Sequence, residues 1–276
     1  MNTIFEQSDM KPTFIFVDGS YYCFYRYFAL LNWWKNAHHD EPIEDPYQNK
    51  NFVDKFKKTF VENLLAIPKK LKIHKTTKPF LIVGKDCKRE NIWRMDLFPK
   101  YKSNRDQVGF MGGPFFKMAY EAELFQQGGA KAILKHPKLE ADDCIALSVK
   151  HLTNKYPECQ IYIITSDRDY LQLASPNVHL FNLTFKNIAE KSSSGNAKDD
   201  LEIKIIMGDT SDNIPAVFPK CGLKTAQKCI QEPEFFKKKM ADNSEYYAQY
   251  DLNKKLVDFN NIPEELVTEF METLKK

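Results

Sequence analysis

Nine acidic residues fall in five short clusters, each just after a strand-like apolar run or at the start of a helix-like one. They are Asp18; Asp86; Glu140, Asp142 and Asp143; Asp167 and Asp169; and Asp209 and Asp212. Carboxylates gathered in one site repel each other, and bound divalent cations relieve that repulsion. Oxygen-only ligands favour Mg²⁺ or Mn²⁺ over zinc. The pattern therefore predicts metal-assisted chemistry on phosphates.

The densest cluster places Glu140, Asp142 and Asp143 directly before an apolar helical run. Acids in the first turn of a helix can simply be caps, and that alternative suffices for one or two of them. Three acids in four positions favour metal binding. Asp167 and Asp169 end a strand-like run, where residues two apart can point to the same side. Turns are also rich in Asp, so this pair is weak evidence alone.

Positive charge is concentrated in residues 69–105, where twelve Lys and Arg accompany three acids although the whole chain carries only +3. A basic stretch beside an acidic metal site predicts a polyanionic substrate, and a solvated lysine-rich surface is the alternative. Lys102 and Arg105 lie three residues apart within this stretch. We assign both as catalytic, because such a pair can hold a scissile phosphate and stabilise its developing charge.

Length and composition predict a soluble globular protein with one large domain, or a core domain with a smaller appendage. Six cysteines without a C-x-x-C pair are typical of a reducing compartment. The chain has no apolar run long enough to cross a bilayer. We therefore expect a cytoplasmic protein, with a nucleus or a viral replication site as open alternatives. His38 and His39 beside Asp40 indicate an exposed loop rather than a metal site.

Apolar runs at residues 14–17, 79–83, 161–164 and 178–181 predict strands, and helical patterns fall at 21–34, 52–71, 201–207 and 223–230. Strands separated by helices imply a mostly parallel sheet with right-handed crossovers. Ligands of such sheets bind beyond the carboxyl ends of the strands. Asp18, Asp86, Asp167 and Asp169 all occupy that position, so residues far apart in sequence can share one site.

A second candidate contact follows residues 208–222, which indicate an ordered turn between two helices. Gly222 opens the second helix, whose free backbone N–H groups can hold a phosphate. Lys224 and Lys228 add positive charge there. Such a contact would ignore base identity, since phosphates carry no sequence information. A plain helix-turn-helix packing unit is the alternative.

Taken in order, these strings resemble the 5′-nuclease superfamily, which includes flap endonucleases, bacteriophage 5′-3′ exonucleases and the 5′-nuclease domain of bacterial DNA polymerase I. The resemblance runs from Phe14 to about Pro263 and is carried by six strings: Val17-Asp18-Gly19-Ser20, Gly84-Lys85-Asp86, Tyr101-Lys102-Ser103-Asn104-Arg105, Glu140-Ala141-Asp142-Asp143, Thr165-Ser166-Asp167-Arg168-Asp169, and Gly208-Asp209 through Asp212-Asn213-Ile214-Pro215.

The resemblance implies an α/β, PIN-like fold with a mostly parallel twisted sheet flanked by helices. It also implies a helical arch at about residues 106–138 and a C-terminal helix-3-turn-helix subdomain. The implied division is a catalytic core at 1–200, including the arch, and a DNA-binding subdomain with C-terminal helices at 201–276.

The resemblance further implies a two-metal phosphodiesterase. Its first ion would be held by Asp18, Asp86, Glu140 and Asp142 with support from Asp143, and its second by Asp167, Asp169, Asp209 and Asp212. Lys102 and Arg105 would lie at the foot of the arch. The residues expected to bind DNA are Tyr21, Tyr22, Tyr25, Arg26, Gly222, Lys224, Thr225 and Lys228.

The implied cofactors are Mg²⁺, for which Mn²⁺ can substitute, and a K⁺ ion at the helix-3-turn-helix. That turn departs from the family's G-x-G, because it reads Lys220-Cys221-Gly222. The predicted activity is that of a stand-alone, monomeric 5′-3′ exonuclease and flap endonuclease in DNA replication or repair. Its expected substrates are 5′ flaps, duplexes with a free 5′ end and RNA primer–DNA hybrids, without a membrane or a clamp-binding motif.

Two alternatives belong to other classes of protein. A non-catalytic DNA-junction binder of the same fold would lack at least one metal ligand, and none of the nine acids is missing. A PIN-type ribonuclease would share the acidic core. It would not explain the Lys102 and Arg105 pair or the helix-3-turn-helix segment.

Overall fold

A five-stranded sheet forms the centre of the computed structural model, which describes residues 11–39, 43–105 and 109–275. The paired strands are all parallel, in the order β3-β2-β1-β4-β5. The strands are β1 (Thr13–Asp18), β2 (Phe80–Gly84), β3 (Ala130–Leu134), β4 (Gln160–Ile164) and β5 (Val178–Phe181). A parallel sheet is covered on both faces, which explains why its strands are apolar runs.

The described residues form twelve α-helices and five short 3-10 helices. The α-helices are α1 (Gly19–Ala37), α2 (Lys50–Leu65), α3 (Ile67–Lys70), α4 (Trp93–Leu97), α5 (Gly113–Glu121), α6 (Leu124–Gln127), α7 (Ala141–Lys155), α8 (Ala197–Met207), α9 (Leu223–Gln231), α10 (Pro233–Ala241), α11 (Glu245–Val257) and α12 (Glu264–Thr273). The 3-10 helices are Arg89–Asn91, Arg168–Leu173, Ile188–Lys191, Thr210–Asp212 and Phe259–Asn261.

Two apolar layers pack on opposite faces of the sheet. Phe14 and Phe16 of β1 belong to the layer that contains residues of α7 and α12. Ile15 and Val17 belong to the other layer, with residues of α1, α2, α5 and α6. Because successive strand residues alternate between faces, one strand contributes to both cores.

Two glycines let the ends of the first strands approach their neighbours closely. A Cβ on Gly84 would lie 2.9 Å from the carbonyl oxygen of Ala141, and one on Gly19 would lie 2.5 Å from the carbonyl oxygen of Gly84. Asp18 is in register with Gly84 on the neighbouring strand. Glycine at these positions therefore holds the start of α7 against the strand ends that carry acids.

The four predicted strands are confirmed, and β3 was missed. Its sequence of Ala130–Leu134 is rich in Ala and Lys, which have low strand propensity, and it lies at the sheet edge. The predicted helix at 52–71 is interrupted at Ala66, where α2 ends and α3 begins.

The predicted arch is wrong in its second part. Residues 106–108 lie outside the described residues, but 113–134 form α5, α6 and β3. Phe115 and Phe125 of these helices are fully buried against α1 and α2. Removing these two rings from water stabilises the packed arrangement, whereas an arch projecting into solvent would expose them. The segment that carries them therefore belongs to the core.

The predicted C-terminal helices are present as α8 and α9, with α8 starting earlier than expected at Ala197. Ile203, Ile206, Ala226 and Cys229 pack these two helices together. The domain boundary after residue 200 stays a prediction, and in the structure that position lies within α8 while α12 packs beside α7. Among the described residues, no helix combines the length and apolarity that crossing a bilayer requires.

Candidate active site

Asp18 sits where β1 ends and α1 begins. Its carboxylate accepts a hydrogen bond of 2.9 Å from the backbone N–H of Tyr21 and so caps α1. Asp86 follows β2 and accepts a hydrogen bond of 2.8 Å from the N–H of Ala141, the first residue of α7. Ser20 donates a further hydrogen bond to Asp86. Through these hydrogen bonds, Asp86 connects the segment after β2 to the start of α1 and to the start of α7.

The start of α7 carries a capping box formed by Glu140 and Asp143. Asp143 is fully buried and accepts two hydrogen bonds from Arg94, at 2.7 and 2.8 Å, and one of 2.9 Å from Trp93. Arg94 also lies 3.1 Å from Glu140. Both oxygens of Asp143 are therefore engaged by donors of the protein itself, and its expected supporting role at the first ion stays a prediction.

Glu140 also receives a hydrogen bond from Lys102 and one of 3.1 Å from the Tyr101 hydroxyl. Although burial favours the neutral form, Lys102 and Arg94 lower the pKa of Glu140. The same Tyr101 hydroxyl lies 3.3 Å from Asp212. This hydroxyl therefore joins the acids of α7 to the acids that follow α8.

Asp169, Asp209 and Asp212 form a second group, in which one ligand oxygen of each lies within 4.8 Å of the others. Lys204 of α8 pairs with Asp169 and, at 2.7 Å, with Asp209. Burial raises the pKa of Asp209, but Lys204 outweighs it and sets that pKa at about 2. Arg105 pairs with Asp212. This second group is thus largely neutralised by the protein's own cations.

A cavity of about 560 Å³ opens at the carboxyl ends of β1, β2 and β4. Five of the nine acids line it: Asp18, Asp86, Glu140, Asp142 and Asp167. Lys102, Arg105 and Arg89 line the same cavity. The structure therefore brings together the acids Asp18, Asp86 and Asp167 from the predicted strand ends, whereas Asp169, Asp209 and Asp212 are not among the residues that line the cavity.

Three acids of the cavity, Asp18, Asp142 and Asp167, resist ionisation. Burial, and then repulsion from Asp86, raises the pKa of Asp18 to about 7. Burial also raises the pKa of Asp142, with Asp143 and Glu140 adding to the effect. Partial enclosure and repulsion from Asp169 raise the pKa of Asp167 to about 6. These carboxylates accept hydrogen bonds from backbone N–H groups and remain in need of positive charge.

The charge balance and the donor atoms fit divalent cations. With all nine acids ionised, the five cations Arg89, Arg94, Lys102, Arg105 and Lys204 would leave four negative charges in excess (nine minus five). At the start of α7, Glu140, Asp142 and Asp143 likewise offer three carboxylate oxygens within 4.8 Å of one another. Carboxylate oxygens suit Mg²⁺, Mn²⁺ or Ca²⁺.

Of the aromatic residues expected to bind DNA, Tyr22 was predicted wrongly. It is fully buried, and its hydroxyl donates a hydrogen bond of 2.8 Å to the carbonyl of Phe60. Helix periodicity turns this position towards the core while its neighbours face outward. Tyr21 and Tyr25 are half-buried with ring centroids 6.2 Å apart, and Tyr21 lines the cavity. Half-buried Arg26 has a buried Nε for which the described residues offer no hydrogen-bond partner.

At the start of α9, Gly222, Lys224 and Lys228 are exposed and Thr225 is half-buried. A Cβ on Gly222 would meet open space, so the fold does not require glycine there. Lys220 instead adopts a left-handed backbone with φ of 58°, a conformation that favours glycine. Lys220, which occupies the position of the first glycine in the family's G-x-G pattern, therefore adopts a backbone conformation that glycine adopts without strain.

Arg94 and Lys204 pair with acids of the site but were not among the predicted site residues. Arg94 is 2% exposed and also donates a hydrogen bond of 2.7 Å to the carbonyl of Leu256 at the end of α11. Lys204 interrupts the apolar run of α8, which was the available signal. His38 stacks on Trp34 with ring centroids 4.3 Å apart, whereas Asp40 lies outside the described residues.

Comparisons of the sequence with known proteins identify the family of this chain. The family described as 5′-3′ exonuclease, N-terminal resolvase-like domain, matches residues 13–201. A 5′-3′ exonuclease of Buchnera aphidicola subsp. Schizaphis graminum is 30% identical over 226 residues, which cover 78% of this chain and 69% of that protein. Ribonuclease H of Enterobacteria phage T4 is 29% identical over 245 residues, which cover 79% and 78%.

A solved structure extends the likeness to almost the whole chain. The T5 D15 protein, co-crystallised with metal ions, superimposes with a TM-score of 0.64 at 18% identity and covers 95% of this chain and 98% of its own. That similarity concerns the fold, while the family match rests on sequence. This chain belongs to the 5′-3′ exonuclease family.

Proposed function

We propose that this protein is a 5′-3′ exonuclease and flap endonuclease that hydrolyses phosphodiester bonds of DNA in replication or repair, with Mg²⁺ as its cofactor. The observation that carries the proposal is the cavity in which five acids from separate strand and helix ends face Lys102 and Arg105. The acidic groups of this cavity can bind metal ions, and its basic groups can bind the phosphates of a nucleic acid. Hydrolysis of a phosphodiester bond requires both.

The acids divide into two ligand sets. Asp18, Asp86, Glu140 and Asp142 would hold one ion, and Asp167 with Asp169, Asp209 and Asp212 would hold the other. When bound, divalent ions supply Lewis acidity to the phosphate and lower the pKa of water. Mn²⁺ would substitute for Mg²⁺, since both prefer oxygen ligands.

Lys102 and Arg105 would neutralise charge that develops on the scissile phosphate. Although burial opposes the charged form of Lys102, Glu140 and Asp212 raise its pKa well above the ordinary value. Arg105 is half exposed, and its side chain also donates a hydrogen bond of 3.2 Å to the carbonyl of Ser211. Both cations are thus fixed at the cavity before a substrate arrives, which reduces the reorganisation that the reaction requires.

Duplex DNA beyond the cleavage point would contact the start of α9. Exposed Lys224 and Lys228 and the free N–H groups after Gly222 suit a phosphate there. A K⁺ ion at the preceding turn and a monomeric state complete the proposal. RNA primer–DNA hybrids are included as substrates, with support from the ribonuclease H name of the phage T4 relative.

The decisive experiment uses a 5′-labelled flap annealed to a DNA duplex, incubated with the protein in Mg²⁺ or in EDTA. We expect release of a 5′ fragment near the junction in Mg²⁺ only, and loss of cleavage by a factor of at least about 10² in Asp167→Asn. Asp251→Asn is the matched control, because Asp251 is an exposed acid on α11 that pairs with Lys255.

Two outcomes would contradict the proposal. Equal cleavage by Asp167→Asn would refute the site assignment, and tight flap binding without cleavage in Mg²⁺ would favour a non-catalytic junction binder. A parallel arm with an RNA flap on a DNA template tests the hybrid substrate. Cleavage of single-stranded RNA in preference to both flaps would favour a PIN-type ribonuclease.

A further inference from the structure

Strand β2 divides the basic stretch of residues 69–105 into two parts. Seven of its twelve Lys and Arg follow the strand, and three of these seven line the catalytic cavity. The other five precede the strand, and we call them the lysine surface: Lys69, Lys70, Lys72, Lys75 and Lys78. Because β2 is five residues long and spans roughly 15 Å, the lysine surface lies at the opposite edge of the sheet from the cavity.

Packing at the end of α2 supports this placement. A Cβ on Gly129, the residue before β3, would lie 3.5 Å from a methyl group of Leu65, the last residue of α2. The end of α2 therefore lies where β3 begins, and the lysine surface starts in α3 directly after it. The substrate contacts proposed above, at the cavity and at α9, do not include these five lysines.

The positive charge of the lysine surface is not neutralised by the chain that the structure describes. All five side chains are exposed, and residues 63–85 contain no Asp or Glu. Lysines on other surfaces pair with acids, as Lys50 does with Asp54 and Lys255 with Asp251. Among the described residues, no acid lies within ion-pair distance of the lysine surface. Five positive charges thus face solvent within ten residues.

The backbone that carries these lysines is held in place by hydrogen bonds and by two buried side chains. The N–H of Lys72 donates to the carbonyl of Lys69 at 3.0 Å, and the N–H of Ile73 donates to the carbonyl of Pro68 at 3.1 Å. Ile67 and Ile73 are buried in the core that α1 and α2 share. The segment therefore turns its isoleucines inward and presents charge to solvent.

The residue types indicate which polyanion fits this surface. Residues 66–79 contain no Arg, Phe, Tyr or Trp. Arginine forks suit a phosphate held in one geometry, whereas lysine acts as a point charge on a flexible stem. Unpaired bases need aromatic rings on which to stack, and a specific protein partner needs apolar or aromatic anchors. Lysines alone suit the regularly spaced phosphates of a double helix, which are bound by charge and without regard to sequence.

We propose that the lysine surface binds the phosphate backbone of a second segment of duplex DNA while the cavity holds the segment to be cleaved. The inference goes beyond the proposed function, on which it rests only for the identity of the polyanion. Duplex DNA bends little over fewer than about 150 base pairs, so the segment in the cavity does not curve round to the opposite edge of the sheet. A second contact keeps the enzyme near DNA after it leaves a cleaved end, because it raises the local concentration of further sites.

Capture of a second duplex tests this inference. A short flap DNA is immobilised and saturated with protein in EDTA, excess protein is washed away, and a labelled closed duplex without free ends is added. We expect the wild-type complex to retain the closed duplex. A variant with all five lysines of the surface replaced by Gln should retain at least about tenfold less per molecule of flap-bound protein. Capture by wild type should weaken roughly 100-fold between about 50 and 200 mM salt, as expected for about four phosphate contacts.

The matched control removes the same amount of charge from lysines that already pair with an acid three or four residues away. Its five Lys→Gln substitutions are at Lys50, Lys117, Lys237, Lys239 and Lys255. This control variant should capture the closed duplex as wild type does. Undiminished capture by the variant of the lysine surface, or an equal loss in the control, would overturn the inference.

Two further arms separate the alternatives. Preference of the wild-type complex for a labelled polyglutamate peptide over the closed duplex would also overturn the inference and assign the surface to an acidic protein segment. Cleavage of the short flap in Mg²⁺ is scored separately, and the variant of the lysine surface should cleave it as wild type does. A wild-type protein that captures the closed duplex but cleaves no flap would refute the proposed function and leave the second contact standing.

Discussion

Replacing Asp18 by Asn should stabilise the protein when no metal is bound. Asp18 faces Asp86 in the cavity, and burial together with this repulsion raises its pKa from 3.8 to about 7. Asn removes the charge but keeps the side-chain oxygen that accepts from the N–H of Tyr21, and Asn is a favourable N-cap residue. The substitution therefore changes charge with little change in local structure.

The magnitude follows from proton linkage. Between about pH 4 and pH 7 the folded protein keeps a proton on Asp18 that the unfolded chain has already released. Stability therefore falls as the pH rises through this interval, by about 1.4 kcal/mol per pH unit. At pH 8 in EDTA, the ionised Asp18 should lower the free energy of unfolding by up to about 4 kcal/mol, and Asp18→Asn should recover that amount.

Urea denaturation at pH 5 and pH 8 measures the effect. In EDTA, Asp18→Asn should exceed wild type in stability by about 4 kcal/mol at pH 8 and by only about 1.5 kcal/mol at pH 5. Millimolar Mg²⁺ should reverse the order at pH 8, because binding to the folded state stabilises wild type and the variant has lost one ligand. Asp251→Asn, on the exposed surface, should show none of these changes.

A metal-free Asp18→Asn protein that is less stable than wild type at pH 8 would refute the electrostatic reasoning. So would a difference that does not depend on pH. A variant stabilised by Mg²⁺ as strongly as wild type would show that Asp18 is not a metal ligand.

Three further substitutions test other parts of the site. Lys204→Met should tighten Mn²⁺ binding roughly tenfold in titration calorimetry, because the Lys204 ammonium competes with the ion for Asp169 and Asp209. Unchanged or weaker Mn²⁺ binding would contradict this prediction. Arg94→Met should lower the free energy of unfolding in urea by about 3–5 kcal/mol, since it leaves buried acids unpaired; a loss below about 1 kcal/mol would show that the acids find other partners. Lys220→Gly should raise stability by up to about 1 kcal/mol in thermal melts by relieving a left-handed backbone, and a decrease would contradict that view.

The pattern of apolar runs and acids was enough to predict the sheet and the acidic residues at its edge. Strand-like runs ending in Asp18, Asp86 and Asp167 predicted that these acids meet at one sheet edge, and they line one cavity. This succeeded because parallel strands all present their carboxyl ends on the same side. The position of an acid just after a strand is enough to place it at the site when all strands of the sheet are parallel.

The sequence pattern could not predict which side chains would be buried or held in ion pairs. The burial of Tyr22, the pairing of Asp143 with Arg94 and the pairing of Asp209 with Lys204 depend on neighbours distant in sequence. The edge strand β3 likewise formed from residues with little intrinsic preference for a strand, because β2 offered a partner. Packing and ion pairing depend on neighbours that only the folded chain brings together, and burial among other acids raises the pKa values of Asp18, Asp142 and Asp167.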